Sequence, residues 1–82
     1  MATFLLEIKT PDKLLFSGEV ESMIVQHPSG KEGYMAYHEP IIKEIAEGIV
    51  QYRFSGESQH QELTVSGGFL SFDNNRAILF IR

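Results

Sequence analysis

The chain has 82 residues, 43% of them hydrophobic and 22% charged, and its 11 acidic and 7 basic side chains give a formal net charge of −4. That length allows one core and no second, and the composition is too apolar for disorder and too acidic for a nucleic-acid footprint. Cysteine is absent, which excludes a disulfide framework and a thiolate metal site.

The opening Met1-Ala2-Thr3-Phe4-Leu5-Leu6-Glu7 lacks a basic leader, which predicts no secretory signal, and no apolar run approaches the roughly 20 residues of a membrane-spanning helix. Residues 1–82 are thus expected to form a single soluble module. A chain this short hides only about 60–65% of its unfolded surface, so a partner surface is the natural source of further stability.

Alternation starts at once. Phe4, Leu6 and Ile8 face one way and Leu5, Glu7 and Lys9 the other, the period of a strand. Thr10-Pro11-Asp12-Lys13 is a turn, because proline sets φ and aspartate bonds its own backbone. Leu14-Leu15-Phe16 predicts a short strand ended by Ser17-Gly18. Glu19 to Gln26 predicts a longer one, with Val20, Ser22 and Ile24 opposed to Glu21, Met23 and Val25. The run 28–33, with one proline and two glycines, predicts an exposed loop.

From 41 to 48 the pattern is ambiguous. Ile41, Ile42, Ile45 and Ile49 fit a two-turn helix after Pro40, yet isoleucine also suits a strand and Glu47-Gly48 a hairpin tip. Beyond it, Val50, Tyr52 and Phe54 alternate, Ser55 to Ser58 turns the chain, and Leu63 and Val65 return. Gly67-Gly68 falls between strands, where glycine serves a bulge or tight corner. Phe69 to Phe72, Asp73-Asn74-Asn75-Arg76 and Ala77 to Ile81 read as strand, turn, strand. Turns every eight to twelve residues predict an all-β sandwich or barrel. Core packing accounts for most aromatics; Tyr34 and Tyr37, around the loop, suit a half-wet interface as well as a core edge.

Chemistry is sparse. His38 stands beside Glu39, but neighbours on an extended chain face opposite ways, so a loop histidine bonded to backbone is expected rather than an acid–base pair. No serine sits in a Gly-x-Ser-x-Gly elbow. His27, His38 and His60 lie 11 and 22 residues apart, without metal-ligand spacing. Neither glycine-bearing loop ends in Gly-Lys-Ser/Thr or leads into a helix that could hold phosphate. No catalytic residue, metal or cofactor is predicted.

Taken in order, Ile8-Lys9-Thr10-Pro11-Asp12-Lys13, Phe16-Ser17-Gly18-Glu19-Val20, Gly30-Lys31-Glu32-Gly33, His38-Glu39-Pro40-Ile41, the Gly48 turn and Val65-Ser66-Gly67-Gly68-Phe69 resemble the epsilon subunit of F-type ATP synthases. The resemblance runs in register over nearly the whole chain, with departures at Lys31, Ala36 and Glu39 in the loop the family uses against its partners. It implies a flattened two-sheet β-sandwich of about ten short strands. It also implies that Ile42 to Ala46 is extended and pairs across Gly48 with Ile49 to Phe54. Most members continue into a helical pair; the chain resembles a member without it, so neither an ATP site nor helix-mediated inhibition is expected.

By the same resemblance the chain is a non-catalytic rotor subunit linking the gamma subunit to the c-ring. It would sit peripherally at the cytoplasmic face of the inner (plasma) membrane, with no membrane insertion of its own. Ser29, Gly30, Lys31 and Glu32 match the c-ring-facing loop; Thr10, His38 and Lys43 match gamma-facing positions; Gly67 and Gly68 form a structural turn. The alternative is a stand-alone β-sandwich module that binds a small ligand or carbohydrate.

Overall fold

The computed structural model describes residues 2–82, which form nine strands: β1 (Phe4–Lys9), β2 (Leu14–Val20), β3 (Ser22–His27), β4 (Gly30–Met35), β5 (Ile41–Ile45), β6 (Gly48–Arg53), β7 (Gln61–Val65), β8 (Gly68–Asp73) and β9 (Arg76–Ile81). They build two sheets, one in the order β2-β1-β9-β8-β5 and one in the order β4-β3-β6-β7. Every pairing is antiparallel except that of β1 with β9.

The core lies between the sheets. Phe4, Leu6 and Ile8 of β1 pack with Leu70 and Phe72 of β8 and Ala77 and Leu79 of β9 from one sheet, and with Met23, Val25, Val50 and Val65 from the other. Each comes from the inner row of an alternating strand, so period 2 in the sequence becomes one buried face per sheet. On one side, Phe16 of β2 closes the sandwich by lying 4.8 Å from Tyr52 and 5.8 Å from Phe54, ring centre to ring centre.

Several sequence expectations are corrected. Ser17-Gly18 does not end a strand, because β2 runs through it to Val20. Glu19 to Gln26 is not one strand either. The chain leaves the first sheet after Val20 and enters the second at Ser22, so the alternation loses its phase and Val20, Glu21, Met23 and Val25 are all buried. The expected loop over 28–33 shrinks to Pro28-Ser29, since His27 already pairs with Gly30 and Glu32 with Val25.

Ile41–Ile45 is a strand, as the resemblance implies, but it does not pair across Gly48. β5 pairs with β8, while β6 pairs with β3 and β7. The physical reason is a further change of sheet at Ala46-Glu47, the third after those from β2 to β3 and from β4 to β5. Gly48 then lies against the Gln26 backbone, where a Cβ would overlap the carbonyl oxygen.

The Gly67-Gly68 corner is the fourth change of sheet, from β7 to β8. Gly67 has φ 137°, and a Cβ on it would stand 3.3 Å from the Ile45 carbonyl oxygen. A Cβ on Gly68 would overlap the Phe80 carbonyl oxygen. Asn74 and Asn75, with φ 51° and 58°, form the two-residue hairpin turn whose twist matches that of the strands.

Candidate functional site

The side of the sandwich opposite Phe16 is bounded by β4 and β5, each an edge strand of its sheet. Here the two sheets are joined by charge. Glu32 faces inward from β4, opposite Val25, and Lys43 faces inward from β5, opposite Leu70. The Lys43 ammonium donates to Glu32 Oε2, the Tyr34 hydroxyl donates to Glu32 Oε1 at 2.9 Å, and His27 Nε2 lies 3.6 Å from Oε2.

Bonding to Lys43 outweighs partial burial and, with help from Tyr34 and His27, holds the Glu32 carboxyl below the usual carboxylate range. Tyr34 moves the opposite way: burial, reinforced by the carboxylate it bonds, pushes its phenol up to about 12. The cluster is a lysine, a carboxylate and a phenol in one fixed hydrogen-bonded line.

His38 lies beside it, below β4. Its amide donates to the Met35 carbonyl at 3.2 Å and its ring packs 5.0 Å from Tyr34 and 5.4 Å from Phe72. Nδ1 is 2.7 Å from the Glu39 carbonyl, which can only accept, so the proton sits on Nδ1. The ring is thus bonded to backbone and oriented by two aromatics. Among the described residues, no three His, Asp or Glu side chains are grouped as a metal ion needs.

Of the residues singled out from the sequence, the fold brings Glu32 and Lys43 into contact and keeps Thr10 and His38 apart. Thr10 follows Lys9, the last residue of β1 and the one beside Phe80, whereas His38 packs at the Phe72 end. Thr10 is engaged in its own turn, its hydroxyl accepting from the Asp12 and Lys13 amides at 3.3 and 3.2 Å. Ser29, Gly30 and Lys31 are exposed on the Pro28-Ser29 hairpin and the start of β4.

Of the two tyrosines that suit either a core edge or a half-wet interface, Tyr34 is buried at 3% exposure and Tyr37 is exposed. Sequence reasoning misses two features, the exposure of Phe69 and Phe80 and the burial of Glu21. Opposite alternation parity within β8 and β9, read against Leu70 and Leu79, is the signal for the two phenylalanines. Glu21, in the gap between β2 and β3, is 6% exposed and accepts from Arg53 at 2.5 Å, which lowers its pKa against the cost of burial. Arg53 also donates to the Glu57 carbonyl at 2.8 Å, so the same guanidinium ties the turn after β6 to the first change of sheet.

A sandwich that changes sheet four times, with one edge sealed by aromatics and the other by an ion pair, is an all-β domain with its polar groups at its edges. The family model of the ATP synthase Delta/Epsilon chain β-sandwich domain matches residues 3–81, and the chain belongs to this family. An ATP synthase epsilon chain of Caldicellulosiruptor saccharolyticus is 34% identical over 79 residues, 96% of this chain and 56% of that relative.

The chain therefore spans about half the length of such relatives. It spans 85% of the epsilon chain of Chlorobium limicola, to which it is 38% identical over 76 residues. A chain in the mitochondrial ATP synthase of Euglena gracilis shares the fold, with a TM-score of 0.87 at 20% identity over 99% of this chain and 51% of its own length. No helix of the described residues is long and apolar enough to cross a membrane.

Proposed function

We propose that the chain is a rotor subunit of an F-type ATP synthase, holding the gamma subunit to the c-ring and turning with them. The observation that carries this reading is the family match over residues 3–81. The c-ring named for the Euglena gracilis structure and the central stalk and c-ring named for the Tetrahymena thermophila structure support it. The work is mechanical: a coupling element must transmit torque without shearing, and ladder bonds between strands together with a close-packed core resist shear.

In this reading the chain has no catalytic residue, binds no ATP, and sits peripherally at the cytoplasmic face of the inner (plasma) membrane through the complex. Ser29, Gly30, Lys31 and Glu32 form the edge towards the c-ring, and Thr10, His38 and Lys43 lie towards gamma. The Glu32–Lys43 pair then ties the two sets together, so that a load on one is borne by the other.

Co-elution and calorimetry of the purified chain with the gamma subunit of the same organism test the reading. One-to-one binding is expected. A folded chain that does not bind gamma overturns it.

A further inference from the structure

The outer face of the five-stranded sheet carries a row whose order is its own complement. Register places Lys9 beside Phe80, Phe80 beside Phe69 and Phe69 beside Glu44, across β1, β9, β8 and β5. The sequence of side chains along the row is cation, ring, ring, anion. Phe80 and Phe69 are 46% and 49% exposed, and Ile42, one row below, is 81% exposed. The Lys9 ammonium stands over the Phe80 ring, 6.0 Å from its centre. Glu44 has a loose contact with Arg82 at 3.7 Å, between two largely exposed side chains, and such a pair contributes little.

A two-fold axis in the plane of this face, parallel to the strands and midway between β9 and β8, exchanges Lys9 with Glu44 and Phe80 with Phe69. Any apolar partner could cover the rings. A second copy of the same face covers the rings and also neutralises both ends of the row, by symmetry. The axis keeps the strands of the two copies near parallel, the aligned mode in which sheet faces pack.

We propose that the free chain pairs through this face with a second copy of itself, Phe80 of one on Phe69 of the other and Lys9 of one against Glu44 of the other. Five strands about 4.8 Å apart and about 17 Å long give a face of about 400 Å². That is small for a stable complex, so the pair is weak and separates on dilution.

Sedimentation equilibrium of the purified chain over a wide concentration range, at low and high salt, tests this. The mass should rise towards two chains with concentration, and less so at high salt, because the end charges are exposed. Phe69→Ser should abolish the rise. Lys9→Glu and Glu44→Lys should each weaken association at least tenfold by setting like charges opposite one another, and the double variant should restore it. Both charge positions are on the surface and circular dichroism should show the fold retained, so the swap remains decisive even if Phe69→Ser unfolds. A single-chain mass at every concentration overturns the proposal, as does a double variant that fails to recover.

Discussion

Lys43 of β5 donates to Glu32 of β4 across the gap between the two sheets, and both side chains stand on the core face of an edge strand. Inward charges at edges discourage pairing with foreign strands, because a misregistered neighbour leaves them unpartnered. The pair is part-exposed, so its worth is limited by solvent screening. Lys43→Met is expected to cost about 0.5–1 kcal/mol. Glu32→Ala should cost more, about 1–2 kcal/mol, since the buried Tyr34 hydroxyl loses its acceptor too. Urea unfolding of both variants checks the order; Lys43→Met as the costlier change would refute it.

Acid sensitivity follows from three carboxylates. Glu32 is held down by Lys43, Glu21 by Arg53 and Glu7 by Arg76. Groups whose folded pKa is depressed stabilise above the unfolded value and lose that contribution as pH falls through the folded one. The urea midpoint should therefore be level above the ordinary carboxylate range and drop below it. Arg53→Met should destabilise more than the loss of any other cation, because Glu21 is 6% exposed and its Oε2 has no partner. A pH profile unchanged in Glu32→Gln would contradict this account.

Tyr34 gives the opposite limb. Its phenol is raised from 10.0 to about 12, so the folded state favours the neutral form. That contribution is complete below the unfolded value and is lost as pH rises from there through the folded one. Ultraviolet titration should show a late-ionising tyrosine that disappears in Tyr34→Phe. Alkaline unfolding should shift with it.

Gly68 and Gly30 separate crowding from backbone strain. Gly68→Ala drives a methyl into the Phe80 carbonyl and should cost about 3 kcal/mol. Gly30 has φ 146° with open space around it, so Gly30→Ala should cost about 1 kcal/mol, from strain alone. Equal losses in thermal unfolding would mean that crowding is not what reserves position 68 for glycine.

Lys31 is exposed on the outer edge of β4. Lys31→Glu should leave the melting curve alone and weaken co-purification of the stalk with the c-ring. Unchanged attachment removes Lys31 from that interface.

The legible parts of the sequence are those where one physical rule acts alone. Phe4, Leu6 and Ile8 mark a half-buried strand, and Asn74-Asn75 its two-residue turn. The segment 41–45 is not legible, because Ile41 and Ile45 flank an inward Lys43. Apolar residues four apart satisfy helix and strand periods alike, and only a partner in another strand explains a lysine on the core side. The pairing of β5 fails for a related reason: neighbours in sequence are the default, and a change of sheet overrides it. Glu21 hides at such a change too, where alternation loses its phase. Glu32 and Lys43 could be named separately by resemblance, but their contact depends on two edge strands in different sheets.

β1 and β9, the first and last strands described, lie side by side in parallel at the middle of the larger sheet. During synthesis Phe4, Leu6 and Ile8 thus emerge long before Ala77, Leu79 and Ile81, the strand they must lie against, and the β2-β1 hairpin waits unsupported. Folding must wait for β9, and it is slow because the central contact of the larger sheet joins the first strand to the ninth. Loss of residues 76–81 would not trim an edge; it would split the sheet into a β2-β1 piece and a β8-β5 piece with nothing between them.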